Sequence, residues 1–104
     1  MDNIRKVVGH DDYYITKDGL VYKMNNHGKL KEVSLSKTKY GIVKFNVTVN
    51  GKSFTKILSL EVYKAFKGRS PKDIQYIDGN KENCSLNNLI TTEELLKFYK
   101  SKIL

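Results

Sequence analysis

The pattern of apolar and polar positions divides the chain into a strand-like half and a helix-like half. Between residues 42 and 49 it reads Ile42-Val43-Lys44-Phe45-Asn46-Val47-Thr48-Val49, with Val43, Phe45, Val47 and Val49 recurring at period two. Lys44, Asn46 and Thr48 fall between them, the pattern of a strand with one buried face. Asn50-Gly51 follows, a pair that tolerates the positive φ of a tight hairpin turn, so Ser53 to Ile57 is predicted to pair back. Upstream, Tyr13-Tyr14-Ile15-Thr16, the turn Lys17-Asp18-Gly19 and the run Leu20-Val21-Tyr22-Lys23-Met24 predict another hairpin. A turn at Asn25-Asn26-His27-Gly28 leads into an extended stretch marked by Leu30, Val33 and Leu35. The N-terminal half therefore reads as an antiparallel meander.

After Ile57 the period changes. Leu58, Val62, Ala65 and Phe66 recur at helical spacing, with Leu58 or Ser59 opening the helix. Gly68 and the sole proline, Pro71, end it. Ile74-Gln75-Tyr76-Ile77 is a short extended piece, Asp78-Gly79-Asn80 a tight turn, and Lys81 to Leu89 an asparagine-rich loop. Thr92 followed by Glu93 and Glu94 marks the start of a last helix, because acids are favoured in a first turn. Leu95, Leu96, Phe98, Tyr99 and Ile103 form its apolar side. The expected fold class is α+β, in a single domain over residues 1–104, with a β-rich part over about 12–57 and two main helices over about 58–104.

Charge adds a partner to this picture. Nineteen basic against eleven acidic residues give a net +8, which suggests an anionic partner, most often nucleic acid. Cys84 is the only cysteine, so an intramolecular disulfide and a multi-cysteine zinc site are excluded. No apolar run reaches the length of a membrane span, and Met1-Asp2-Asn3-Ile4-Arg5-Lys6 lacks a signal-peptide core. A cytoplasmic location, in a bacterial host cell if phage-encoded, is expected. The two histidines, His10 and His27, fall in predicted turns far from the Asp-Gly-Asn segment. Asp73, Asp78 and Glu82 lie close in sequence, but Asp78 is expected to serve the turn and the others to be solvated.

The order of elements resembles the HNH endonucleases carried by phages and mobile introns. Tyr13 to Tyr22 is similar to the small β module that often precedes that nuclease domain. Leu58 through Leu89, with Ala65-Phe66, Ile77-Asp78-Gly79-Asn80-Lys81 and Asn88-Leu89, is similar to the nuclease core. The resemblance implies a ββα-metal frame. In such a frame a histidine accepts a proton from water, and a divalent ion stabilises the charge on the scissile phosphate. The family's histidine stands immediately before Ile-Asp-Gly-Asn, where this chain has Tyr76, and a phenol is a poor general base at neutral pH. The residue before it, a metal contact in the family, is Gln75, a weaker ligand for a hard cation. The family's last ligand comes from the final helix, where Lys97 and Lys100 would repel an ion. Ser59 takes the place of a further histidine at the start of the Ala-Phe helix, while Asp78, Gly79, Asn80 and Asn88 of the structural motif are retained.

The expectation drawn from this resemblance is a degenerate scaffold: no enzyme, no catalytic residue, no metal and no cofactor. Its function is then nucleic-acid binding through phosphate contacts by Lys37, Lys39, Lys44, Lys56, Lys64, Lys67, Arg69, Lys72, Lys81, Lys97 and Lys100, with Tyr40 and Tyr76 stacking or hydrogen-bonding. The alternative is a phage-type inhibitor that uses the same surface against an acidic patch of a host or defence protein, such as a CRISPR effector nuclease. The end of the chain at Leu104, without the further C-terminal DNA-binding region usual in intron endonucleases, fits that alternative. Tyrosines also serve well as interface anchors.

Overall fold

Val43, Phe45 and Val47 are buried along one face of a strand, while Lys44 is half-buried and Asn46 and Thr48 are exposed, so alternation placed the ribbon correctly. Val49 does not follow its period-two partners and is exposed, because the strand has run past the core by the hairpin tip. The computed structural model describes residues 3–103, with side chains through Lys100. Residues 1, 2 and 104, on which the readings of the chain's beginning and end rest in part, lie outside the described residues.

The architecture is α+β. Among the described residues, strands β1 (Ile4–Val7), β2 (His10–Thr16), β3 (Val21–Met24) and β4 (Leu30–Glu32) form one antiparallel sheet in that order. Strands β5 (Ser36–Lys37), β6 (Val43–Val49) and β7 (Lys52–Ile57) form a second. The meander is thus split into two sheets, and the backbone N–H of Thr48 donates to Tyr13 Oη at 2.9 Å as a link between them. Asn50 and Gly51 have φ of 52° and 79°, the conformation a two-residue hairpin turn requires. His10 opens β2 and does not sit in a turn; His27 does.

Helix α1 (Leu58–Lys67) begins directly where β7 ends and packs against β1, β2, β6 and β7. Leu58, Val62, Tyr63 and Ala65 are buried on it, and they join residues of both sheets in one core cluster. Gly68, at φ 73°, turns the chain out of the helix and returns its N–H to the Lys64 carbonyl at 3.0 Å. A two-residue strand β8 (Gln75–Tyr76) then pairs antiparallel with β9 (Leu89–Ile90), Gln75 opposite Ile90 and Tyr76 opposite Leu89. A single 3-10 turn, Leu86–Asn88, precedes β9, and helix α2 (Thr92–Ile103) follows it. The β8–β9 ribbon carries the exposed Asp-Gly-Asn loop, and from β8 Tyr76 reaches α1 and Gln75 reaches the start of α2.

Candidate functional site

The loop between β8 and β9 is held by its own polar side chains. Asp78 Oδ1 accepts the N–H of Asn80 at 2.8 Å, Asn80 Oδ1 accepts the N–H of Glu82 at 3.0 Å, and Asn83 Oδ1 accepts the N–H of Ser85 at 3.3 Å. These are successive Asx turns, in which a short side chain replaces a backbone acceptor two residues back. Gly79, at φ 75°, donates its N–H to the Tyr76 carbonyl at 2.9 Å, a geometry that costs a residue with a Cβ. Asn88 closes the loop. Its buried amide accepts the Asp78 N–H at 2.9 Å and donates to Asp78 Oδ1 and to the Asn83 carbonyl, each at 2.9 Å. Hydrogen bonds from Asn83, from the Asn80 backbone and from Asn88 hold the Asp78 carboxyl below the usual carboxylate range. Cys84 is buried beneath the loop, and burial pushes its thiol up to about 11, which argues against a thiolate nucleophile.

The two residues before Ile77 face opposite ways, as strand alternation requires. Tyr76 turns toward α1, where its Oη donates to Ser59 Oγ at 2.8 Å. Ser59 is buried in the first turn of α1, and the positions at which the family resemblance expects imidazoles are therefore occupied by a hydrogen-bonded phenol and hydroxyl. Gln75 turns toward the start of α2. Its Nε2 donates to Asp73 Oδ2 and to Thr92 Oγ1, each at 3.2 Å. Asp73 also accepts the Thr92 backbone N–H at 3.2 Å and the Thr92 hydroxyl. The Thr92 hydroxyl and N–H, with the Gln75 amide, hold the Asp73 carboxyl below its ordinary range, so it is ionised at neutral pH. Asp73 is not the solvated bystander that sequence reading made it. The signal was there in its spacing, because residues 73 and 75 of an extended segment share a face.

Thr91, not Thr92, caps α2. Its N–H donates to Glu94 Oε1 at 3.0 Å while the Glu94 N–H donates to Thr91 Oγ1 at 3.1 Å, the reciprocal capping box that Thr91-x-x-Glu94 spells. Glu94 is bound further by Tyr63 Oη at 3.1 Å and Arg69 Nη2 at 3.2 Å, which ties α1 to α2. The hydrogen bond to Tyr63 is the main reason the Arg69 guanidinium is raised above its ordinary value.

The remaining basic positions are scattered. Lys37 pairs with Glu82 and Lys64 with the buried Glu61, each at 3.0 Å, and Lys39 lies 5.1 Å from the ring of its exposed neighbour Tyr40. Lys44 pairs with Ile57 across the ribbon while Lys56 pairs with Phe45, so the two lysines stand on opposite faces. Lys67, Lys72 and Lys81 are exposed on the segments flanking the site. Arg69, Pro71, Lys72, Asp73, Thr92 and Leu96 line an open cleft of about 620 Å³ beside Gln75. Lys97 and Lys100 are exposed on α2, five and eight residues past Thr92, roughly 8 and 12 Å further along the helix axis.

A solved structure matches this arrangement nearly end to end. It is that of the HNH homing endonuclease I-HmuI, a study of its DNA binding and cleavage, with a TM-score of 0.72 and 23% sequence identity. The fold is of the HNH type. The match covers 95% of this chain and 58% of that one, so the chain spans less than two thirds of its structural neighbour. No protein-family model and no curated protein matches the sequence. The expectation that this HNH-type chain is not an enzyme is corrected by that comparison: the fold it shares is that of a DNA-cleaving endonuclease. Thr92 stands opposite Gln75, its hydroxyl accepting from the Gln75 amide at 3.2 Å.

The resemblance to the HNH fold implies a divalent ion, and magnesium is commonly held by one or two carboxylates plus substrate phosphate and water. Around Gln75 the one carboxylate is Asp73, whose oxygens already accept from the Thr92 N–H, the Thr92 hydroxyl and the Gln75 amide, so the side chains as arranged do not form a ligand set for such an ion. Among the described residues no group of three His, Cys, Asp or Glu side chains clusters for metal binding. No helix among them is long and apolar enough to cross a membrane.

Proposed function

We propose that this chain binds duplex DNA along its phosphate backbone and nicks it at the site formed by the β8–β9 ribbon and the first turns of α1 and α2. The observation that carries the reading is the likeness of fold over 95% of the chain to an HNH endonuclease that binds and cleaves DNA. The net charge of +8 and the exposed Lys72 at the edge of the cleft support it, since phosphate neutralisation supplies most of the affinity of such proteins. At the site, the Asn88-locked loop fixes Tyr76 and Gln75 on a two-strand ribbon, Asp73 presents a carboxylate beside Gln75, and Tyr76 and Ser59 present hydroxyls on the other side. The test is gel shift on duplex DNA at two salt concentrations, together with nicking of supercoiled plasmid in magnesium or manganese. The expected result is a salt-sensitive shift and metal-dependent nicking that co-purifies with the protein. Absence of both at low salt overturns the reading.

A further inference from the structure

We infer that a closed cluster of hydrogen bonds among Asp73, Gln75 and Thr92 takes the part of a divalent ion in this chain: it ties the β8–β9 ribbon to α2, and the free protein grips DNA without a resident ion. The DNA-binding half of this rests on the proposed function; the closed cluster does not. The family resemblance places a metal contact at Gln75, and a different chemistry stands there. Asp73 lies two residues before Gln75, Gln75 opens β8 and Thr92 opens α2. Gln75 Nε2 donates to Asp73 Oδ2 and to Thr92 Oγ1, each at 3.2 Å, and the Thr92 hydroxyl donates to Asp73 Oδ2. The Thr92 N–H donates to the other carboxylate oxygen, Oδ1, at 3.2 Å. Each of the three side chains is thus bonded to the other two.

The arrangement works against an ion. A hard cation needs oxygen lone pairs turned toward it, whereas both Asp73 oxygens face N–H or O–H groups. The Gln75 amide is held with its NH2 end toward Asp73, because the reversed orientation would set a carbonyl oxygen against a carboxylate. The end of the amide that faces the carboxylate is therefore the end that repels a cation. Glu93 also lines the cleft, but it is exposed and belongs to none of these bonds. Among the described residues no three His, Cys, Asp or Glu side chains come together. The structural part that an ion would play falls to the cluster. Strand β8 has two residues and pairs with two of β9, too short a ladder to fix its own position. The bonds to Thr92 reach across 17 and 19 residues, and Asp73 and Thr92 line the cleft that Lys72 borders. Asp73 and Thr92 are positioning residues here: they hold the wall of the cleft and leave the phosphate to the lysine.

The experiment uses the whole chain, first stripped of metal with a chelator. Manganese added at equimolar ratio is followed by EPR, with thermal melts and duplex-DNA gel shifts in EDTA and in magnesium alongside. The expected results are manganese that remains in the free aqueous signal, one melting temperature in both buffers, and a DNA shift in EDTA no weaker than in magnesium. An ion held with a Kd of about 0.1 mM and supplied at about 10 mM would instead raise the melting temperature by roughly 10 °C or more. Thr92→Val keeps the side-chain shape and removes the hydroxyl. It is expected to lower the melting temperature and to weaken DNA binding in EDTA about 5-fold, the scale of one net hydrogen bond, and Thr92→Ser to restore both. Thr92→Val that melts and binds like the wild type overturns the tie. Should Thr92→Val not fold, the wild type decides alone. Equimolar manganese that binds and broadens the Gln75 side-chain amide resonance, a melting temperature that falls by that margin in EDTA, or a DNA shift lost in EDTA and regained in magnesium each overturns the inference. Nicking that needs metal beside binding that does not leaves both this inference and the proposed function standing. Wild type that neither shifts nor nicks DNA in any buffer overturns the proposed function, while the manganese and melting results still decide the cluster.

Discussion

Asn88 shows what a single side chain does for this site. Its amide satisfies the backbone of Asp78 and Asn83 and one carboxylate oxygen of Asp78, all from a buried position. Asn88→Ala removes the three bonds together and strands their partners, so a loss of about 2–3 kcal/mol is expected in urea denaturation. The carboxylates of the same region set the acid limit. Asp78, Asp73 and Glu94 all sit below their ordinary values, Asp78 chiefly through Asn83, Asp73 through the Thr92 hydroxyl and Glu94 through the Thr91 N–H. A depressed folded pKa means stability that is present above the unfolded value, roughly 4, and lost as pH falls through the folded one. The melting temperature should therefore be level from pH 7 to about 5 and drop toward pH 2. Asp78→Asn should lower it at pH 7 and flatten the acid drop; an equally steep drop would show that Asp78 does not carry it. Asp78 was legible in the sequence because its Asx turn is written in local spacing, whereas Asn88, whose bonds span five and ten residues, was singled out only by the family resemblance. Ser59 with Tyr76, and Asp73 with Thr92, were not legible, because those partners are 17 and 19 residues apart and only the packing of β8 between the two helices brings them together.

Elements with a strong local signal appear where the sequence puts them. The β6–β7 hairpin is written in alternation and Asn50-Gly51, and α1 in its apolar spacing and Gly68. The extended piece at Ile74 to Ile77 contains β8, but strands β1, β5 and β9 have no such signal, and the reason is physical. Of the four residues Ile4–Val7 only Val7 is buried, β5 is exposed along its two residues, and β9 has two residues. Such segments are extended because a neighbour offers backbone partners, not because their own pattern demands it. The start of α2 lies between these cases. Thr91-x-x-Glu94 is a local signal, but Glu94 also serves Tyr63 and Arg69, so the cap doubles as the joint between the helices. Thr91→Ala is expected to cost about 1 kcal/mol, the usual value of a lost N-cap. Its effect should extend beyond the helix: amide exchange should speed up in α2 and also at Gln75, whose side chain bonds to Thr92. Faster exchange in α2 alone would show that the cap does not position the site.

At the scale of the whole molecule, charge acts through its arrangement. The Cα radius of gyration is 14.9 Å, above the roughly 13 Å of a compact chain of this length, and the longest axis is 55 Å. On the proposed DNA-binding reading, a body that long would span roughly 16 phosphates of one strand at 3.4 Å each. The net +8 is nonetheless not +8 available to DNA at one place. Lys37, Lys64 and Arg69 are held by Glu82, Glu61 and Glu94, and Lys64 faces a carboxylate that is itself buried. Sequence reading could count these cations but could not see their partners, which is why it treated them as equivalent. The salt dependence of DNA binding separates them, because each phosphate contact releases about one counterion and contributes about 0.9 to the slope of log K against log salt. Lys72 borders the cleft beside Gln75 and has no ion pair among the described residues, so Lys72→Ala should weaken binding at every sequence tested and reduce the slope by about 1. Lys64→Ala should leave the slope unchanged and lower the melting temperature, since it abandons Glu61 in the interior. If the slope falls with Lys64→Ala but not with Lys72→Ala, the DNA follows another face of the molecule, and the cleft at the head of α2 has to be given up as its path.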